Sequence, residues 1–174
     1  VVLTRDDRVI VLHDIYLEQV TDVAGKFPAR GREDGHYYAI DFDLAEIKSL
    51  RVHRRNNEVI DSTKMPARFP FSENGFQVPT LEEELKLIQQ LHIESGKNTG
   101  IYVEMKKVAW HEENNKDLVK ATWDILREFD YRNADDPVFI QCFESAPLKR
   151  LRNEFDCKLP LVQLISMPKE GTPD

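Results

Sequence analysis

The stretch from Val9 to Asp14 limits the possible folds most strongly, because four apolar residues end abruptly at a histidine and an aspartate. A short apolar run rich in β-branched residues is typical of a buried strand. In α/β barrels and open α/β sheets the strands fill the core, and the residues at their carboxyl ends line the functional site. The run therefore predicts a buried parallel strand that carries His13 and Asp14 to a site at its end.

Two later apolar runs have the same design. Residues 100–106 place Glu104 and Lys106 where a strand finishes, and residues 138–143 place Gln141 in the same way. Alternate residues of a strand face the same side, so Glu104 and Lys106 are expected to point in one direction. A carboxylate, an ammonium and an amide at strand ends make a candidate site.

Helical segments separate these runs. Amphipathic periodicity and helix-start signals predict helices at residues 43–50, 80–96, 116–129 and around Pro147. Residues 161–165 are interpreted as a fourth buried strand, and residues 15–43 as a long loop. Alternation of strand and helix is the pattern of parallel α/β architecture, although periodicity does not distinguish a closed barrel from an open sheet.

The composition bounds the class of protein. The chain has 174 residues, whereas a complete (β/α)8 barrel needs about 250. A net charge of -7 and a pI near 5.3 argue against a broad surface for nucleic acid or anionic membranes. No apolar stretch approaches the roughly 18 residues of a transmembrane helix. Cys142 and Cys157 lie in different contexts and do not indicate a compartment.

Short motifs follow one another along the chain in an order that resembles one enzyme family. They lie at residues 3–6, 11–14, 17–24, 37–42, 101–106, 141–144, 148–150 and 161–164. Together they resemble the glycerophosphodiester phosphodiesterases, and most closely the bacterial periplasmic type. The resemblance implies an α/β fold, the TIM (β/α)8 barrel of the phosphodiesterase type. Here it implies a partial barrel that lacks the first strand and the later strands. It also implies a single domain over residues 1–174 with a loop-rich insertion at about 15–78.

The resemblance also implies roles for the candidate residues. His13 is implied as one of two acid-base histidines, with the departing alcohol as its proton acceptor, and Glu104 as one of three metal-binding carboxylates. Lys106 would hold a phosphate oxygen, and Gln141 and Phe143 would contact the substrate. The other carboxylates and the second catalytic histidine are expected outside this chain. The implied cofactor is a divalent cation, with Ca²⁺ preferred and Mg²⁺ as the alternative.

Some residues keep two interpretations. Asp14 either orients His13 or caps the turn, and Phe143 either floors a pocket for glycerol or packs in the core. Trp110 and His111 are expected in the loop that follows the second apolar run, where they could reach the rim of the pocket. Three further histidines are interpreted as surface or core residues, namely His36, His53 and His92.

The function implied by the resemblance is the metal-dependent hydrolysis of glycerophosphodiesters, which are deacylated phospholipids, to sn-glycerol 3-phosphate and an alcohol. The implied location is the periplasm, with the signal peptide outside this chain. The substrate is a small molecule, no nucleic-acid partner is expected, and the oligomeric state is open. Val103 and Val108 stand where the periplasmic type usually has proline, which relaxes the backbone there. The 174-residue chain alone is expected to be inactive.

Two other functions stay open. A non-catalytic fragment, or a surface or binding module, could retain the barrel sequence. A class of metal phosphohydrolases also uses a His-Asp dipeptide. Those enzymes place the dipeptide on helices among further histidine and aspartate ligands, whereas here it ends a β-branched run.

Overall fold

The computed structural model describes residues 1–53 and 75–166, which fall into two compact units. One unit covers Val2–Leu81, and the other covers Val1 with Glu82–Asp174, within those described ranges. The elements in chain order are β1 Val2–Leu3, β2 Val9–Ile10, α1 Val23–Lys26, α2 Leu44–Lys48, α3 Leu81–Ser95, β3 Ile101–Glu104, α4 Val108–Glu113, α5 Leu118–Glu128, β4 Val138–Cys142, α6 Ser145–Asn153 and β5 Leu161–Gln163. None of these helices has the length and apolar character needed to cross a bilayer.

The single-domain organisation over residues 1–174 stays a prediction, as does the loop-rich insertion at about 15–78. Residues 54–74 of that insertion lie outside the described residues.

The strands β1 and β2 pair antiparallel and form a hairpin. In the polar turn, Asp7 adopts a φ of 59°, and the Thr4 N–H donates to the Arg8 carbonyl at 3.0 Å. The prediction that His13 ends a buried parallel strand is therefore wrong. A link of a few residues joins antiparallel strands, whereas parallel strands need a crossover of about a dozen residues or more.

The segment from residue 15 to residue 43, predicted as a long loop, is packed around buried side chains. Leu17 and Val23 are fully buried, and α1 with two short 3₁₀ turns supplies its regular structure. At the end of the segment, α2 begins with the predicted capping box. The Asp43 N–H donates to the Glu46 carboxylate at 2.9 Å, and the Asp43 side chain accepts from the backbone of the first turn. The predicted start of this helix is confirmed.

The second unit contains a parallel sheet with the strand order β3-β4-β5. Its register aligns Tyr102 with Phe139 and Glu104 with Gln141. One face of β3 and β4 is buried and apolar, through Val103, Met105, Val138, Ile140 and Cys142. Because side chains alternate across a strand, the opposite face carries the residues aligned above. The parallel α/β pattern predicted from the sequence is present in this unit.

The helices of this unit confirm most of the sequence pattern. The predicted helices at residues 80–96 and 116–129 are α3 and α5, and Pro147 lies in the first turn of α6. The strand predicted at residues 161–165 is present as β5, but the prediction that it is buried is wrong. β5 is shorter, and its side chains are half-buried or exposed. Within the described residues β5 is the outer strand of the sheet, so only one of its edges is paired.

Asp117 links α5 to α6. Its carboxylate accepts from the Lys120 N–H at 2.9 Å, which caps α5, and both of its oxygens accept from the Arg150 guanidinium at 2.7 Å. The hydrogen bonds from Arg150 are the main reason that the pKa of Asp117 lies below its ordinary value, and the capping bond acts in the same direction.

We expect the substitution Asp117→Ala to lower the free energy of unfolding by about 1–2 kcal/mol at neutral pH, mainly through the lost helix cap. Because folding lowers the pKa of Asp117, its carboxylate stabilises the fold above the ordinary value of 3.8, and this stability is lost as the pH falls through the folded pKa. The difference between wild type and variant should therefore shrink in acid. Urea unfolding at neutral and acidic pH measures it.

The control is Asp124→Ala, because in the part of the chain that the structure describes Asp124 pairs with the exposed Lys120 one turn away, and it lies in the interior of α5, where it caps no helix. That variant should change stability by less than about 0.5 kcal/mol. Equal losses of unfolding free energy in the two variants would contradict the role of Asp117 as the cap of α5.

Candidate active site

Glu104 and Lys106 form an ion pair at the carboxyl end of β3. The Lys106 Nζ lies 2.6 Å from the Glu104 Oε1, and the two side chains are only 15% and 20% exposed respectively. The Glu104 Oε1 is buried and accepts no hydrogen bond of good geometry in the described residues. The Lys106 ammonium compensates its negative charge through the ion pair. The shared direction predicted from strand alternation is present in the structure.

Backbone hydrogen bonds hold this end of β3 on both sides. The Met105 N–H donates to the Gln141 carbonyl at 3.0 Å. On the other side, Val1 N donates to the Glu104 carbonyl, and the Lys106 N–H donates to the Val1 carbonyl at 3.1 Å. This is the pattern of a parallel ladder, so Val1 lies beside β3 as a further sheet position.

Gln141 lies opposite Glu104 in the parallel register, so the two side chains share a face of the sheet. Phe143 follows β4 directly and is 51% exposed, which places it outside the buried core of the described residues. The sheet thus brings an acid, a base and an amide together at one end of two neighbouring strands.

The backbone directly after Lys106 turns sharply. Lys107 has φ 51° and ψ 52°, a left-handed conformation that costs a non-glycine residue about 1–3 kcal/mol. Trp110 and His111, predicted in a loop at the pocket rim, lie instead in α4, and the His111 side chain is fully buried. The rim position predicted for His111 is therefore wrong, because its ring packs inward and bonds to the backbone.

Glu144 is a residue that sequence reasoning missed. Its two carboxylate oxygens accept from the Val108 N–H at 2.9 Å and the Ala109 N–H at 2.7 Å, which are the first amides of α4. Its position in the sequence could have indicated a site residue, since Glu144 is a carboxylate that directly follows the apolar run at residues 138–143.

His13 and Asp14 lie in the other compact unit, after β2. Directly after β2, the Val11 N–H donates to the Pro79 carbonyl at 2.9 Å. The His13 Nδ1 donates to the Asp14 carboxylate at 3.0 Å, and the imidazole is 67% exposed. This contact supports the interpretation that Asp14 orients the ring.

The other histidines have partners that account for them. His36 Nδ1 donates to Glu18 at 2.6 Å, His53 Nε2 donates to the Thr21 carbonyl at 2.8 Å, and His92 Nε2 accepts from the Thr99 N–H at 3.0 Å. These contacts support the interpretation of all three as surface or core residues.

The donor set for a metal is incomplete in the described residues. They contain no group of three or more histidine, cysteine, aspartate or glutamate side chains that could hold a metal ion. The buried Oε1 of Glu104 suits one position on a hard cation, but a single carboxylate does not make a divalent site. The described residues therefore fit one ligand of such a site, and the catalytic, substrate-binding and metal roles of the candidate residues stay predictions.

Comparison with known proteins identifies the family. A family model described as the glycerophosphoryl diester phosphodiesterase family matches residues 1–174. The chain belongs to this family. The recognition made from the order of motifs is confirmed.

Relatives support the same family. The chain is 41% identical over 171 residues to a glycerophosphodiester phosphodiesterase of Haemophilus influenzae, a match that covers 94% of this chain and 47% of the relative. It is 35% identical over 177 residues to a glycerophosphodiester phosphodiesterase of Treponema pallidum, covering 95% of this chain and 48% of the relative. The chain spans about half the length of the curated relatives it matches.

Solved structures show the fold of this family member. A candidate glycerophosphoryl diester phosphodiesterase from Silicibacter pomeroyi matches with a TM-score of 0.66 at 20% identity, covering 96% of this chain and 53% of that one. A phosphodiesterase from Oleispira antarctica, in complex with the product sn-glycerol-3-phosphate, matches with a TM-score of 0.61 at 20% identity, covering 97% and 53%. The fold is α/β, part of a TIM barrel of the phosphodiesterase type, as predicted.

Proposed function

We propose that the full-length polypeptide carrying this sequence hydrolyses glycerophosphodiesters to sn-glycerol 3-phosphate and an alcohol. The family match over residues 1–174 supports this activity, together with the buried Glu104–Lys106 pair at a strand end. A structural neighbour that holds sn-glycerol-3-phosphate as its product supports the substrate class. The observation that carries the proposal is the ion pair, because it places an acidic and a basic group where TIM barrels hold their functional residues.

His13 is the general acid in this proposal. Its Nδ1 bonds to Asp14, which orients the ring and sets Nε2 as the nitrogen that exchanges a proton. The imidazolium would donate that proton to the departing alcohol oxygen as its bond to phosphorus breaks and an attacking oxygen, from water or from the glycerol hydroxyl of the substrate, forms the new bond to phosphorus. Proton transfer of this kind contributes about 10²–10⁴ in rate.

Lys106 and Gln141 hold the substrate phosphate and glycerol in this proposal. An ammonium group acts on a phosphate oxygen as a point charge, and Lys106 is kept in place by Glu104. The Gln141 carboxamide lies on the same sheet face and can hydrogen-bond a glycerol hydroxyl. The exposed ring of Phe143 offers an apolar floor for the glycerol carbons.

Glu104 is one ligand of a divalent cation in this proposal, with Ca²⁺ preferred and Mg²⁺ as the alternative. The family resemblance implies that the other ligands lie outside residues 1–174, and the described residues hold no group of three or more histidine, cysteine, aspartate or glutamate side chains that could bind a metal ion. When bound, the cation would neutralise charge on a phosphoryl oxygen. We also propose a periplasmic location, supported by the resemblance to the periplasmic type and by the long segment at residues 15–43.

The test is the release of sn-glycerol 3-phosphate from glycerophosphocholine by the full-length polypeptide with Ca²⁺ present. We expect turnover by the full-length protein and none by the 174-residue chain, because catalytic groups act as a unit and their losses are not additive. Binding of glycerophosphocholine without turnover would contradict the proposal and favour a binding module. Glycerophosphodiesters with ethanolamine, inositol and glycerol as the alcohol are assayed in parallel, so that a preference for another head group is detected.

A further inference from the structure

Residues 105–109, which are the three residues between β3 and α4 and the first two residues of α4, are held by side chains from elsewhere in the same unit. We call them the β3–α4 connection. Lys106 belongs to it, so the course of this connection decides where the Lys106 ammonium lies relative to Glu104. The left-handed backbone at Lys107 is not a relaxed conformation for lysine, so contacts outside the connection must maintain it.

His111 holds the connection from within α4. Its Nδ1 donates to the Lys107 carbonyl at 2.9 Å, and the ring is fully buried. Burial lowers the pKa of His111, while hydrogen bonds to the backbone of Lys107 and Lys106 act in the opposite direction. The neutral imidazole is therefore the form that donates to Lys107 at physiological pH.

Glu144 holds the connection from the end of β4. One carboxylate bonds two successive amides, those of Val108 and Ala109, and these amides come directly after the left-handed residue. No side chain within α4 caps that helix, because Lys107 occupies the capping position without a side-chain hydrogen bond. Glu144, two residues after the end of β4, therefore supplies the cap that the local sequence lacks.

We propose that His111 and Glu144 are positioning residues, which fix the β3–α4 connection and thereby hold the Lys106 ammonium beside Glu104. Glu144 fixes the connection at the two amides after the turn, and His111 fixes it at the carbonyl of the turn itself. The part of the proposal that concerns catalysis rests on the proposed function. The part that concerns the position of Lys106 does not.

The first experiment measures the position of Lys106 without using activity. The full-length polypeptide is treated with an amine-acylating reagent, and acylation of Lys106 is followed by peptide mass spectrometry. In wild type the reaction should be slow, because Lys106 is 15% exposed and lies 2.6 Å from Glu104. Glu144→Gln and His111→Leu should acylate faster at Lys106, because the connection loses a carboxylate oxygen or the side-chain donor to the Lys107 carbonyl, which then keeps only the His111 backbone N–H at 3.1 Å among the described residues. The exposed Lys158 serves as the internal reference for the reagent.

The matched control is Asp117→Asn. This variant also removes a carboxylate that caps a helix, but the helix is α5 and the connection is untouched. Acylation of Lys106 should stay at the wild-type rate in the control. Equal acceleration in the control and in Glu144→Gln, or no acceleration in any variant, would overturn the proposal.

The second experiment measures hydrolysis of glycerophosphocholine. Glu144→Gln and His111→Leu should lower kcat/KM by about 10–100-fold, the usual cost of losing a group that orients a functional residue. His111→Asn should recover part of the loss, because its amide N–H can replace the Nδ1 donor. Absence of recovery, with the fold intact, would reduce His111 to a packing residue and contradict its positioning role.

The two experiments separate the possible failures. If the wild-type polypeptide shows no turnover, the proposed function fails, and acylation of Lys106 still decides the positioning proposal. If Glu144→Gln or His111→Leu does not fold, the conservative variants Glu144→Asp and His111→Asn take their place, with smaller accelerations expected in the same direction. Wild-type acylation rates in those folded variants would overturn the proposal.

Discussion

Replacing His13 by alanine in the full-length polypeptide should lower the turnover of glycerophosphocholine at least about a hundredfold. The reason is the loss of the proton donor to the departing alcohol. The Asp14 carboxylate that orients the ring would stay in place but would have no ring to orient. Since the His13 imidazole is 67% exposed, its removal leaves no cavity, and the stability of the protein should hardly change.

The matched control for His13→Ala is the replacement of His92 by alanine. His92 lies in α3, where its ring accepts a hydrogen bond from the Thr99 N–H, so its role is structural. His92→Ala should keep turnover within a few-fold of wild type. Initial rates of sn-glycerol 3-phosphate release, measured with thermal unfolding for each variant, distinguish a chemical loss from a structural one. Retained activity in His13→Ala would remove His13 from the mechanism.

Replacing Glu104 by glutamine should also lower turnover at least about a hundredfold. Groups that merely orient metal ligands cost about 10–100-fold when removed, and a ligand should cost at least as much. The substitution keeps the size of the side chain but removes its negative charge. It also leaves the mostly buried Lys106 ammonium without the carboxylate that lies 2.6 Å from it, so stability should fall as well.

Calcium titration by calorimetry checks the metal role of Glu104 apart from the rate. The 174-residue chain should bind Ca²⁺ with a Kd in about the millimolar range, or not at all, because the resemblance implies that the partners of Glu104 lie outside it and the described residues hold no cluster of three metal-binding side chains. The full-length polypeptide should bind more tightly, and Glu104→Gln should weaken that binding. Glu112→Gln is the control, since Glu112 is an exposed carboxylate of α4 that lies 3.9 Å from Arg150. Unchanged Ca²⁺ affinity in Glu104→Gln would exclude Glu104 as a ligand.

Much of the secondary structure could be predicted because its signals are local. The capping box of α2 joins Asp43 to Glu46, three residues apart, and both hydrogen bonds form as expected. The stripe of apolar residues in α5 likewise repeats within one helix. In both cases the residues that stabilise the element lie inside it or next to it.

The errors occur where the stabilising partner lies far along the chain. The helix α4 was missed because its cap comes from Glu144, 36 positions after Val108. Because α4 was missed, the burial of His111 within that helix was missed as well. For His13, the orientation of β2 was misjudged because a run of apolar residues indicates a strand but not the direction of its partner.

By itself, the sequence determined which runs become strands and that Glu104 and Lys106 share one side, because alternation follows from the covalent geometry of an extended chain. The order of its motifs also determined the family. Only the tertiary structure decided that Gln141 lies opposite Glu104 and that Glu144 and His111 hold the β3–α4 connection. These contacts join separate segments through hydrogen bonds of defined length, and packing of the unit selects which partners meet.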